Sequence, residues 1–462
     1  MAAAKTVEQK REERRRFMLE GNLLKVIPVI ALPQVVSMLI DSLYNMADTY
    51  FVSQLGKAAT AAVGVNDSLM MIIRAISLGF GMGASSYISR QLGAKNHEEA
   101  SRAASTTLMT AMGVVVIIAT FAFIFRENVV LMLGATDTSK AYSIEYATWI
   151  LFSAPFTAAS VCLSQSLRAE GSTTYSMIGS VSGCIINIFL DPLFITTFGM
   201  GVAGAAIATG ISKFISVVIL MVPYWTRKCI IDIKPKYFTP KIPLYAEIAR
   251  MGVPTMLRTS LFSVSTILIN NLAGGFGDAA LAAVSVANKS MKFVGSAVMG
   301  FGQGFQPIAG FCWGAKKYKR VKKAFGLTSL IGIVLCTVLG TGLFVFAKQA
   351  VTIFSTDPEV LDIGMLLIRS QCIVLPMHVW VMIATGMFQA LGKPFQAGFL
   401  GLCRQAFSLI PCVALMTHFW GLTGLSLSQA AADVVSFCFA LMLVIPMMKE
   451  LNRRRSEPDA IE

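Results

Sequence analysis

Long apolar tracts separated by short clusters of charge run along nearly the whole of this 462-residue chain. About 20 apolar residues cross a bilayer as an α-helix. The tracts are continuous and lack the alternation of membrane-barrel strands. Backbone polar groups in lipid must be satisfied within the segment, so each tract is predicted to be helical. Twelve can be drawn, at 23–52, 59–89, 101–125, 141–167, 173–197, 201–225, 245–275, 280–312, 322–347, 361–388, 394–417 and 421–447. Several are longer than a bilayer needs, which predicts tilt or extension beyond it.

The basic residues orient these spans. The odd-numbered connections hold four, Lys57, Arg126, Lys140 and Lys348, while the two tails and the even-numbered connections are far richer. The positive-inside rule places both termini in the cytoplasm. The richest stretches, Lys10–Arg16, Arg227–Lys241 and Lys316–Lys323, also suit contact with anionic lipid.

Self-comparison adds an internal repeat. Gly79-Phe80-Gly81-Met82-Gly83 and Gly93-Ala94-Lys95 recur 221 residues later as Gly300-Phe301-Gly302-Gln303-Gly304 and Gly314-Ala315-Lys316. The same offset carries Pro33 to Pro254, Gly56 to Gly277 and Gly171 to Gly392. Six spans separate equivalent positions, so both copies enter the membrane from one side, a parallel repeat. The expected fold is an all-α polytopic membrane protein, with twelve transmembrane helices in two parallel six-helix bundles and a central cleft. Its parts are a cytoplasmic tail at 1–22, a first bundle at 23–225, a linker at 226–244, a second bundle at 245–447 and a tail at 448–462.

Composition agrees and narrows the function. The chain is 55% hydrophobic and 14% charged, too few charges to coat a water-soluble fold. The net charge of +14 lies in loops and tails without interleaved aromatics, which argues against nucleic acid as a partner. Nine cysteines with no Cys-x-x-Cys pair predict neither disulfides nor a metal site. No phosphate-binding Gly-x-x-x-x-Gly-Lys-Ser/Thr loop occurs, so transport would be driven by an ion gradient or be passive, with no cofactor beyond H+ or Na+. No cluster with catalytic or metal spacing points to an enzyme.

Ionisable residues within spans are costly and are candidates for function. Asp191 follows Asn187 by four residues, on one helix face. Pro192 then deprives the Ile188 carbonyl of its helical partner. Carboxyl, amide and loosened turn could bind a proton or cation, or Asp191-Pro192 could mark a helix end at the outer interface. Asp48 lies fifteen residues after Pro33, which can bend the first span; it could be a site or a hydrated helix end. Asp41, Asp67 and Arg74 are candidates to line the substrate cleft. Asp433 could pair with Arg404 as packing glue, and His378 reads as structural. Under the offset Asp48 falls on Ile269, Asn187 on Ser408 and Asp191 on Cys412. Either function is confined to one bundle or the copies drifted apart.

Read in order, several segments resemble the multidrug and toxic compound extrusion (MATE) family across nearly the whole length. They are Asn45-Met46-Ala47-Asp48-Thr49, the paired Gly-Ala-Lys segments, Arg168-Ala169-Glu170-Gly171, Asn187 to Phe194, Gln303-Gly304-Phe305-Gln306-Pro307, and Arg404-Gln405 with Pro411. The resemblance implies an antiporter that expels organic, often cationic, compounds by alternating access in exchange for H+ or Na+. It would be a monomer in the bacterial inner (plasma) membrane. In the bacterial and archaeal branch it resembles most, an N-terminal network couples the cation. The matching residues here are Asp48, Tyr146, Asn187, Asp191 and Thr209, with Pro33 as the hinge. A second branch uses acids on spans seven and ten, and here neither span has an acid away from its ends. A lipid-linked oligosaccharide flippase of related fold is the alternative; Arg74, Arg258, Lys289, Lys292 and Arg369 would suit its pyrophosphate.

Overall fold

The structure is a computed structural model that describes residues 7–355 and 357–455. The outer parts of the two expected tails, 1–6 and 456–462, lie outside the described residues, as do the side chains of Lys10 and Lys57. Among the described residues the chain forms helices and connections and no strand. A polar helix, α1 (Val7–Glu20), precedes the long helices α2 (Leu23–Ser53), α3 (Lys57–Gly93) and α4 (His97–Ile124). A short α5 (Arg126–Met132) leads to α6 (Lys140–Ala169), α7 (Thr173–Pro192) and α8 (Gly201–Trp225). The second repeat comprises α9 (Ile242–Gly274), α10 (Asp278–Gly314), α11 (Tyr318–Val345), the short α12 (Ala347–Thr352), α13 (Pro358–Ala390), α14 (Pro394–Leu402) and α15 (Ile410–Arg455).

Among the described residues ten helices are long and apolar enough to cross a membrane. One of them, Pro394–Arg454, is two spans, because Gly421 interrupts it with φ 55° and ψ −133°. The long α10 completes the twelve. The repeat extends to the backbone. Gly56 and Gly277 have φ of 98° and 111°, and Lys95 and Lys316 have φ of 67° and 58°. The first pair opens α3 and α10 in a conformation that L side chains resist.

Contacts divide the chain into two compact units that do not follow the linker at 226–244. One holds the residues up to Phe17 with Val36–Gly252; the other holds Met18–Val35 with the residues from Val253 onward. Each unit therefore contains the first half of the opening span of the other repeat. Glycine makes this possible. In the second unit a Cβ on Gly300 would stand 2.6 Å from Val35 Cα, and one on Gly304 would overlap the backbone of Ala31. In the first unit Gly83 meets the Ile248 carbonyl and Gly252 meets the Gly79 carbonyl in the same way. Close backbone approach is how helices associate in lipid, where apolar surface alone gives no drive.

The linker is pinned to the first unit. Hydroxyls on the opening turns of α4 accept its backbone N–H groups: Ser101 from Asp232 (3.0 Å), Ser105 from Lys234 (3.2 Å) and Thr106 from Thr239 (2.9 Å). Glu170, fully buried after α6, accepts N–H groups of Ile230 (2.8 Å) and Ile231 (3.1 Å) and a hydrogen bond from Ser172. Its counter-ion is Arg14 of α1, at 3.6 Å. Cys229 beside it is buried, and burial together with the Glu170 carboxyl pushes its thiol up.

Two predictions follow from these contacts. Gly304→Ala puts a methyl group into rigid backbone and should cost about 1–3 kcal/mol. It should be read as a lower melting temperature, beside Gly326→Ala, where a Cβ meets nothing within 4 Å. Glu170→Ala should release the linker and raise the rate of Cys229 alkylation by about tenfold or more, since thiolate and access limit that reaction. Unchanged labelling in a Cys229-only background would refute the pinning role.

Candidate functional site

The first unit gathers five of the six expected coupling and hinge residues. Asp48 lies near the end of α2, and Tyr44 stands one turn earlier on the same face. Asn187 and Asp191 lie one turn apart in α7. Tyr146 comes from α6 and Thr209 from α8. Asp191 is 0% and Asn187 1% exposed, so Asp191 is not a hydrated helix end at the interface. The loosened turn after Pro192 is a π-helical segment at Leu193–Thr197, in which the Thr196 hydroxyl donates to the Pro192 carbonyl at 2.5 Å. The proline thus ends α-helical pairing directly beyond the buried acid.

Asp48, Asp191 and Asn187 are side-chain neighbours, and buried Tyr146 is within electrostatic reach of both acids. Asp48 Oδ1, both Asp191 oxygens and both polar atoms of the Asn187 amide are buried without a hydrogen-bond partner. Two carboxylates are both acceptors, so such a pair needs a shared proton or a cation between its oxygens. The Tyr44 hydroxyl faces Thr209. A narrow crevice lies beside the cluster, lined by Tyr44, Cys184, Asn187, Thr209 and Lys213. The Lys213 ammonium sits 6.0 Å from the Tyr44 ring centre.

The cleft candidates divide. Asp67 is exposed and within electrostatic reach of Asp48. Asp41 and Arg74 lie on the Cys184 side with Lys213. Pro33 lies in the half of α2 that packs in the second unit, two residues before the helix passes over at Val35. Sequence reasoning missed Tyr44, although its spacing of four from Asp48 was available as a signal.

The second unit holds a cluster that the sequence showed only in part. Arg404 donates from Nε to Asp433 Oδ1 at 2.5 Å and from Nη2 to Oδ2 at 3.4 Å. His378 Nδ1 reaches the same Oδ1 at 3.2 Å. The ion pair matches the expected one, while His378 joins it only through tertiary packing of α13 on α15. Arg404 lies in a second π-helical segment, Cys403–Leu409. Removing one partner strands a buried charge, so Arg404→Ala should cost about 3–5 kcal/mol. The double variant with Asp433→Ala should recover much of that in a thermal unfolding cycle.

Comparison with known proteins agrees with this architecture. The MatE family model matches twice, over residues 33–193 and 254–414, the same 221-residue offset as the repeat. The chain is similar to the multidrug export protein MepA of Staphylococcus aureus strain MSSA476, 26% identical over 95% of this chain and 97% of that protein. It is also similar to MepA of Staphylococcus saprophyticus, 24% identical over 97% and 99%. Among solved structures it aligns with the outward-facing conformation of a multidrug resistance MATE family transporter of the MOP superfamily. The TM-score is 0.90 at 25% identity, over 94% of this chain and 98% of that one. Two family matches in register with the internal repeat, carried on twelve membrane helices, place this chain in the MatE family as a MATE transporter.

Proposed function

We propose that this protein is a secondary active multidrug efflux antiporter, exporting organic, often cationic, small molecules in exchange for H+ or Na+. The MepA relatives, matched nearly end to end, support multidrug efflux. The observation that carries the coupling is the neighbouring pair Asp48 and Asp191, in which Asp48 Oδ1 and both Asp191 oxygens are buried without a hydrogen-bond partner. Asn187, Tyr146 and Thr209 complete the shell, and Asp41, Asp67 and Arg74 are assigned to the substrate cleft. The protein would act as a monomer in the bacterial plasma membrane, with both termini cytoplasmic. The flippase reading has no comparable support.

The proposed cycle uses one pair for two ligands. Ionised carboxylates hold a cationic substrate. A proton or sodium ion entering from outside neutralises them, and the substrate loses its counter-charge and leaves. Pro33 supplies the weak point at which α2 bends as the pair changes charge. Alternating access then returns the loaded carrier. A proton-motive force of ~150 mV supplies roughly 3.5 kcal/mol per proton, enough for a gradient on the order of several hundredfold.

Asp191→Asn should abolish substrate-stimulated proton movement in proteoliposomes while expression and folding persist. Asp48→Asn should do the same. Efflux of a fluorescent cation under separately imposed proton and sodium gradients identifies the driving ion. Coupling retained in either variant would sink the assignment of the pair.

A further inference from the structure

Hydroxyl groups line the seam where α6, α7 and α8 meet inside the first unit. One face of α7 and its N-cap carries Asp191, Asn187, Gly183, Gly179, Ser176 and Ser172, three or four residues apart and all buried. The glycines admit α8: a Cβ on Gly183 would stand 3.0 Å from Ser216 Cβ and 3.3 Å from the Ser212 carbonyl oxygen. Asn187, whose amide has no hydrogen-bond partner, lines the narrow crevice at this point together with Thr209 and Ser212. A buried amide with nothing to bond is costly, and a hydroxylic partner entering the crevice relieves it.

From the crevice the hydroxyls continue away from the acids. Ser216, one turn beyond Ser212, lies 3.2 Å from the Ser160 hydroxyl of α6 and donates to the Gly179 carbonyl at 2.9 Å. Ser164, one turn further along α6, lies 2.6 Å from Ser176 and 3.5 Å from Ser180. Arg168 follows and donates to Ser164 (3.1 Å) and Ser176 (3.3 Å). At the α6–α7 turn Ser172 donates to Glu170. The steps along one helix, Ser212 to Ser216 and Ser160 to Ser164, are each about 6 Å at 1.5 Å per residue, and two hydrogen bonds of about 2.8 Å through one water span that length.

A serine in a membrane helix can satisfy itself on the carbonyl four residues back, as Ser212 does at 2.7 Å. Ser160, Ser164, Ser176 and Ser216 reach across helices instead. Packing does not demand them. Within the two family-matched segments the 221-residue offset carries Ser160, Ser176 and Ser180 to Val381, Ala397 and Gly401, so the second repeat builds the same helices without hydroxyls at these points.

We propose that this column is a proton relay from the Asp48 and Asp191 pair to the α6–α7 turn, so that the proton and the substrate leave by separate routes. The proposal rests on the proton form of the antiport reading above and adds to it the path and its residues. Each serine oxygen accepts a proton and passes on its own hydrogen. Every hydroxyl therefore ends neutral, the acid pair is left ionised, and one proton emerges at the turn, which is cytoplasmic in the orientation proposed above. A sodium ion cannot travel by such exchange, and the fixed charge of Arg168 opposes any cation coming to rest beside Ser164. The relay thus serves protons alone.

The test uses the purified full-length protein in proteoliposomes, with ethidium as the substrate and a pH-sensitive dye in the lumen. Ser160→Ala, Ser216→Ala and their double variant are compared with Ser160→Thr, which keeps the hydroxyl. The double variant should slow ethidium-coupled proton movement at least ~10-fold, the barrier that a lost hydrogen bond adds. Its affinity for ethidium should stay at the wild-type level, and Ser160→Thr should move protons faster than Ser160→Ala. Heavy water should slow the double variant more than the wild type, because proton transfer has become limiting. An unchanged proton rate, a loss matched by weaker ethidium binding, equal rates for Ser160→Thr and Ser160→Ala, or equal heavy-water effects would overturn the relay. So would a wild-type protein that exchanges ethidium for sodium alone. A wild-type protein that moves ethidium under neither gradient would instead overturn the efflux reading.

Discussion

The architecture depends on bringing helix backbones into contact where lipid offers no hydrophobic drive. Glycine does this at two related places. Gly300 and Gly304 of α10 receive α2 at Ala31 and Val35, and Gly79 and Gly83 of α3 receive the opening half of α9. A side chain at Gly83, Gly252, Gly300 or Gly304 would stand in the neighbouring backbone, so these seams fix which half of each opening helix packs with which unit. The prolines Pro33 and Pro254 lie within two residues of the points where α2 and α9 pass from one unit to the other. A helix gripped on both sides of a missing hydrogen bond is a natural place for bending.

Within that frame the two repeats treat charge differently. At the fifth span the first repeat has Gly183, which lets α8 approach until Ser216 would lie 3.0 Å from an added Cβ. The second repeat has Arg404 at the same point and opens a π-helical segment around it. Asp433 neutralises that arginine, with His378 on the shared oxygen. In the first repeat Asp48 and Asp191 have no basic partner at hydrogen-bonding distance; in the second, Asp433 pairs fully with Arg404. Buried pairs seldom add net stability, whereas stranded charges are costly. The orphaned carboxyl oxygens of Asp48 and Asp191 are therefore what supports a role other than packing for this pair.

Much of this was legible in the sequence, and the limits are physical. Span number, repeat and offset follow from hydrophobic length and from glycines with a backbone role, both local properties. Asn187, Asp191 and Pro192 announced their shared face and loosened turn because helical spacing and the missing N–H of proline are also local. Glu170 did not announce itself. As an acid in a short turn between spans it reads as solvated, yet it is buried because two linker N–H groups and Arg14 arrive from distant segments.

The sequence by itself therefore determined an all-helical membrane protein with twelve spans and a parallel duplication, because those follow from periodicity and bilayer thickness. Only the tertiary structure decided which polar groups meet. Asp48 meets Asp191 across two helices, and His378 joins Asp433 across two others. Such meetings depend on helix rotation and crossing, which glycine contacts set at long sequence separation and which no single helix encodes.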